Sequence, residues 1–366
     1  MGQNGETTPE NIAEPEKDSP PQRKTWKVLV IAAGLFAFLF LITALPAIIH
    51  RDREVSTPLA GLAIDKNFPD PGIAYLNKTW YAFATNSIVN GLADVFHVPV
   101  ATSPDFQHWN VTSTDALPTL AEWETPEDHW APDVIQRDDG KFVLHYSGEA
   151  RVYRRHHCIG VAVSVSDDPL GPYVPEPEPL ACHLEEGGAI DSAGFADSDG
   201  TAYVLYKVDG NSVGNGGDCN NGVEPILSTP IMLQKLKSDH VTKDGDPVQI
   251  FDRDDSDGPL VEAPYLIKSK EDIYFLFFSS HCFTSVHYNV NYATAKSIEG
   301  PYERSEYPLL QTGNFGLLSP GGAVLSRDGT KIAFHGDCSP GRCMYAGNIT
   351  LSGTHASVDL VEEGFL

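Results

Sequence analysis

The chain has 366 residues, with 25 Lys and Arg against 50 Asp and Glu, for a formal net charge of −25. That surplus excludes nucleic acid and anionic membrane surfaces as partners, because both are held by basic patches; a neutral polysaccharide stays open. About 315 residues follow an N-terminal apolar stretch, enough for one large core.

Residues 1–26 are rich in Glu, Pro, Gln and Asn without an apolar period, and predict a disordered cytosolic tail. Residues 27–50 predict one transmembrane helix, a signal-anchor. The uncharged stretch 28–49 is long enough to cross a bilayer core, which takes about 20 apolar residues. Lys17, Arg23, Lys24 and Lys27 precede it and Arg51 and Arg53 follow, which favours a cytosolic N-terminus and a type II membrane protein. The competing expectation is a cleaved signal peptide ending at Ala44-Leu45-Pro46-Ala47, giving a secreted protein; the apolar stretch is longer than an ordinary signal of this kind. Both readings export the remainder, a linker over 51–65 and a folded domain over 66–366.

Three sequons lie in the exported part, at Asn77, Asn110 and Asn348. All six cysteines lie there too, which fits three disulfides. Cys338 and Cys343 flank a short Pro-Gly turn and are the expected pair; the other pairings stay open.

From Asn67 onward one pattern recurs. Phe68-Pro69-Asp70-Pro71 leads through the turn Asn77-Lys78 to the aromatic strand Trp80-Tyr81-Ala82-Phe83. Ala131-Pro132-Asp133 leads through Asp139-Gly140 to Phe142-Val143-Leu144-His145-Tyr146. Ile190-Asp191-Ser192, Glu262-Ala263-Pro264-Tyr265 and Ser319-Pro320-Gly321-Gly322 open three further units of the same kind. Self-similarity at roughly 60 residues, built from short strands and Asp-Gly-type turns, predicts an all-β five-bladed propeller with long loops. Asp70, Asp191 and Glu262 each fall in the same register, just before the first strand of a unit, so a radial arrangement of blades brings them to one mouth of the central channel. Three carboxylates gathered from distant segments repel one another, which points to chemistry rather than to turn capping.

Phe68-Pro69-Asp70-Pro71, Trp130-Ala131-Pro132-Asp133, Ile190-Asp191 before Gly194-Phe195, Val261-Glu262-Ala263-Pro264 and Phe334-His335-Gly336 together resemble glycoside hydrolase family 43, from about residue 60 to about residue 355. The resemblance implies a five-bladed propeller acting by inversion on arabinose- or xylose-containing polysaccharide. It implies Asp70 as general base, Glu262 as general acid and Asp191 as the residue that orients the acid and tunes its pKa. Trp130 and Arg342 match positions that line the sugar pocket in relatives. His335 matches a residue that borders the channel and contacts a calcium ion there, although an ordinary inner-strand role stays open; no cofactor is required for the reaction. Arabinosyl linkages are the first expectation and xylosyl the second. A binding propeller without turnover, and a retaining fructosidase-type enzyme, are the alternatives; the latter's Glu-Cys acid motif is absent, since Ala263 follows Glu262.

Overall fold

A computed structural model describes residues 61–86 and 96–360. The tail, the apolar stretch 28–49 and most of the linker lie outside these residues. No helix among the described residues is long and apolar enough to cross a membrane.

The chain forms five antiparallel sheets, each a blade whose strands run in sequence order from the inside outward. Blade one comprises Gly72–Leu76, Thr79–Phe83, Pro99–Ser103 and Asn110–Asp115; blade two Glu124–Gln136, Phe142–Ala150, His157–Ser164 and Tyr173–Pro175. Blade three comprises Ala189–Ala196, Ala202–Val208, Ile231–Leu236 and Val248–Phe251; blade four Val261–Lys268, Tyr274–Ser280, Asn289–Ala295, Glu303–Arg304 and the extra Leu310–Gln311. Blade five comprises Gly321–Leu325, Lys331–Cys338, Gly341–Ser352 and His355–Asp359. The turns between first and second strands are those the repeat predicts. Asn77 and Lys78 both have positive φ (50° and 65°), as a two-residue primed turn requires, and Gly140, Gly200 and Gly329 supply positive φ in three others.

One element differs from expectation. Leu62–Ile64, expected in the linker, pairs with Gly341–Ser352 (Leu62 opposite Tyr345) and so ties the start of the domain to its last blade. That pairing closes the ring, leaving no open gap between blades one and five. Three residues carry too little pattern to announce a strand.

The core lies between blades rather than on the axis. Phe83 and Val100 pack against Leu144 and Tyr146, Val143 against Val204 and Tyr206, and Leu205 against Leu276 and Phe278. Phe275 and Phe277 pack on Ile332 and Phe334, and Ile64 and Met344 on Phe68 and Ala82 complete the circle. The second strands, flanked on both faces, are mostly apolar; every residue of Tyr274–Ser280 is buried. Disulfides join Cys158 to Cys182, Cys219 to Cys282 and, as expected, Cys338 to Cys343. The second of these links a loop of blade three to a loop of blade four.

Candidate active site

Every inner strand enters the ring through a kink with one residue in the left-handed region: Asp70 (φ 51°), Ala131 (41°), Asp191 (58°), Ala263 (50°) and Gly322 (61°). The kink turns that residue's amide toward the preceding blade, where a side chain receives it. Ala131 donates to Thr85 Oγ1 (2.8 Å), Asp191 to Ser147 Oγ (3.0 Å), Gly322 to Ser279 Oγ (2.9 Å) and Asp70 to His335 Nδ1 (3.2 Å). The same place in blade three holds Lys207, which pairs with Ile190 as Ser147 pairs with Trp130 and Ser279 with Glu262. An ammonium has no lone pair to offer. The Ala263 amide donates instead to Asp191 Oδ2 (2.9 Å).

This frame corrects the expected register of the acids. Asp70 and Asp191 occupy equivalent kink positions, whereas Glu262 stands one residue earlier, level with Trp130. From that place the longer side chain reaches the same cavity. Asp70, Trp130, Asp191, Glu262 and Arg342 all line one open cavity of about 1060 Å³ on the axis. Residues some 270 positions apart in sequence thus meet in one site.

Asp70 is half-buried and fully engaged. Its Oδ2 accepts from Thr85 Oγ1 (2.6 Å), its Oδ1 from Arg342 Nη1 (2.9 Å), and His335 Nδ1 lies 3.1 Å from Oδ1. Burial alone would raise its pKa, but the charges of Arg342 and His335 and the Thr85 hydrogen bond outweigh it and hold the carboxyl well below the usual range. Asp191 is the opposite case. Burial first, then the Glu262 and Asp70 charges, push it up to about 8, against the partial relief of Lys207. Glu262 takes a hydrogen bond from Tyr288 Oη at Oε1 (2.8 Å) and from Lys207 Nζ at Oε2 (3.1 Å). Lys207 has no exposed side-chain surface and also pairs with Asp209 Oδ1 (2.9 Å). The site therefore holds one carboxylate kept ionised, Asp70, beside an Asp191 carboxyl whose protonated form is favoured by burial and by the Glu262 charge.

Trp130 stacks on His157 (ring centroids 3.7 Å, interplanar 26°) and lines the cavity. Arg342 is spent largely on Asp70, and its guanidinium lies over the exposed ring of Phe283 (5.2 Å). His335 is completely buried beneath Asp70, stacked on Tyr288 (5.8 Å), and burial followed by the Arg342 charge lowers its pKa.

The residues around His335 supply few oxygen ligands of their own. Calcium takes about 6–8 oxygen ligands. Here a ring nitrogen faces the Arg342 guanidinium at 3.5 Å. The channel between Asp70, Asp133 and Asp191 has a volume of only about 30 Å³, roughly one water's share. Among the described residues no group of three or more His, Cys, Asp or Glu side chains is arranged to hold a metal.

Lys207, Tyr288 and Thr85 are the participants not foreseen from the sequence. Lys207 left one signal, a charge inside the otherwise uncharged buried strand Ala202–Val208. Tyr288 and Thr85 left none, since a Tyr and a Thr are ordinary in sheet proteins.

A five-bladed propeller with carboxylates converging over its axis from blades one, three and four is the architecture of a glycoside hydrolase. The chain belongs to glycosyl hydrolases family 43, whose model matches residues 63–347. It is 27% identical over 344 residues to an extracellular endo-α-(1→5)-L-arabinanase of Thermotoga petrophila, covering 83% of this chain and 66% of that enzyme's length. It is 26% identical over 274 residues to a β-D-galactofuranosidase of Aspergillus niger, covering 70% of this chain and 71% of the relative. Among solved structures, a thermostable family-43 glycoside hydrolase superimposes with a TM-score of 0.67 at 26% identity, over 84% of this chain and 97% of that one.

Proposed function

We propose that the protein is an inverting glycoside hydrolase that cleaves α-L-arabinofuranosyl linkages of plant cell-wall polysaccharide, arabinan or arabinoxylan. The observation that carries this reading is the contrast between two carboxyl environments in one cavity: Asp70 held ionised by Arg342, and Asp191 and Glu262 set close enough that a charge on one disfavours a charge on the other. Inversion needs that contrast, an ionised base for water on one face of the sugar and a protonated acid at the leaving oxygen. Asp70 takes a proton from water as its oxygen bonds to the anomeric carbon. The bond from that carbon to the leaving oxygen breaks, and Glu262 gives its proton to the departing oxygen. Asp191 orients the acid through the Ala263 amide, which belongs to the same peptide unit as the Glu262 carbonyl. Its negative charge, when present, raises the cost of ionising Glu262. Trp130 offers the sugar a flat apolar face.

Arabinose is preferred because the arabinanase of T. petrophila is among the relatives; a β-xylosidase of the same fold is the second reading. The export signal in residues 28–49 and the three disulfides support an extracellular or lumenal site of action, with that stretch as anchor. Nitrophenyl α-L-arabinofuranoside, β-D-xyloside and β-D-galactofuranoside, run beside arabinan and xylan with product analysis, test the reading. Turnover of the arabinofuranoside well above the others supports it. Faster turnover of the xyloside replaces it, and binding of arabinan without cleavage of any substrate returns the protein to a binding role.

A further inference from the structure

Lys207 stands where blades one, two, four and five each place a side chain that accepts the next blade's kink amide: Thr85, Ser147, Ser279 and His335. The fold is served there by a hydroxyl in three blades and an imidazole nitrogen in the fourth, each an acceptor, and a lysine cannot do that job. Its ammonium is instead stripped of all solvent contact and set between Asp209 Oδ1 (2.9 Å) and Glu262 Oε2 (3.1 Å), carboxylates of two different blades. Removing an ammonium from water costs several kcal/mol unless it is paired, and Asp209 alone would pair it. The bond to Glu262 is therefore not needed to settle the lysine.

We infer that Lys207 is a positioning residue for the acid half of the site: it fixes the Glu262 carboxyl group and stabilises the carboxylate left when the departing oxygen takes its proton. The inference rests on the reading of Glu262 as the general acid. Tyr288 Oη secures the other oxygen, so the Glu262 group is gripped at both atoms and presents a fixed edge to the cavity. Lys207 lies behind the carboxyl rather than in the cavity wall, which leaves the sugar untouched. Interactions that strengthen as charge develops raise turnover rather than affinity.

The charged and titratable groups around this centre are Asp209 at the end of blade three with His157 behind it, Asp191 on the inner strand, and Tyr288 on the blade-four loop. Across the cavity stand Asp70, Arg342 and His335. The Lys207 pKa is raised: burial opposes its charge, and Asp209, Glu262 and Asp191 more than offset that. The lysine therefore stays charged throughout the working range, and any pH limb it influences belongs to the acid pair. A cation beside a carboxyl favours ionisation, so its removal makes the acid hold its proton to higher pH.

Lys207→Met is compared with the wild type on a nitrophenyl and a dinitrophenyl glycoside of the sugar that the wild type cleaves. The basic limb of kcat/KM should move up by about one pH unit, the lower end of the effect of a neighbouring charge. kcat on the nitrophenyl substrate should fall roughly tenfold, inside the 10²–10⁴ that general acid catalysis supplies, and the dinitrophenyl rate much less. KM should stay within about twofold. Lys207→Arg, which keeps the charge, should leave the limb near its wild-type place. Should the single variant fold poorly because Asp209 is left unpaired, Lys207→Met with Asp209→Asn removes both charges; its limb should move in the same direction but less, because the more distant Asp209 charge acted against the lysine. An unmoved limb with only a lower melting temperature overturns the inference and leaves Lys207 a structural ion pair. If Glu262→Ala slows both substrates equally, the acid assignment itself fails, and the role of Lys207 with it.

Discussion

At the scale of single residues, the two principal carboxyls are separated by their neighbours rather than by their own chemistry. Glu262→Ala should slow natural linkages by about 10²–10⁴, the worth of a general acid, and cost far less on a dinitrophenyl glycoside whose phenolate leaves unprotonated. Asp70→Ala should be severe on both, because every substrate needs activated water; steady-state rates on the two substrates check the pair. Asp191→Asn removes a carboxyl whose charge, as it develops on the basic side, disfavours a charge on Glu262. The basic limb of the rate profile should therefore move down, opposite in direction to the Lys207 variant. Asp70, Asp191 and Glu262 were legible in the sequence because each sits in a Pro- or Ser-marked strand entry that repeats. Lys207, Tyr288 and Thr85 were not, because their roles arise from contacts across blades, which no local pattern encodes. The position of Glu262 one residue before the kink was equally hidden: only the backbone conformation of Ala263 reveals it.

At the scale of elements, the strand entries do most of the positioning. A kink residue outside glycine costs about 1–2 kcal/mol in the left-handed region, and four of the five kink residues carry a β-carbon. The amide bond to the preceding blade offsets that cost and passes geometry from blade to blade. The hairpin turns and the aromatic second strands were readable, since Asp-Gly and Asn-Lys turns between apolar runs have few alternative structures. The closing strand Leu62–Ile64 was not. Its contribution can be measured at Ile64, which is 4% exposed and packed among Phe68, Ala82 and Met344. Ile64→Ala should destabilise the domain by about 2–5 kcal/mol, as for other buried Ile truncations, read from denaturant unfolding. A loss below about 0.5 kcal/mol, typical of surface sites, would show that the strand does not hold the ring closed.

At the scale of the molecule, stability and catalysis are coupled through the buried acids. Asp191 has a folded pKa of about 8 against about 3.9 for a free aspartate. The folded state thus binds a proton that the unfolded chain releases at lower pH. Its contribution to stability falls as pH rises from about 4 to about 8 and is flat above. Asp70, with its pKa lowered, acts the other way: its contribution is present above about pH 4 and is lost as pH falls below that value. Melting temperature against pH should accordingly slope downward between pH 5 and 8 in the wild type and be flatter in Asp191→Asn. An unchanged slope would show that Asp191 ionises normally in the fold. The central claim, that Asp70 activates water directly opposite a leaving group protonated by Glu262, is tested most directly by proton NMR of the first product formed from an aryl α-L-arabinofuranoside. Inversion predicts that β-L-arabinose appears first and then mutarotates, whereas α-L-arabinose as the initial product would make Asp70 a nucleophile and contradict the mechanism.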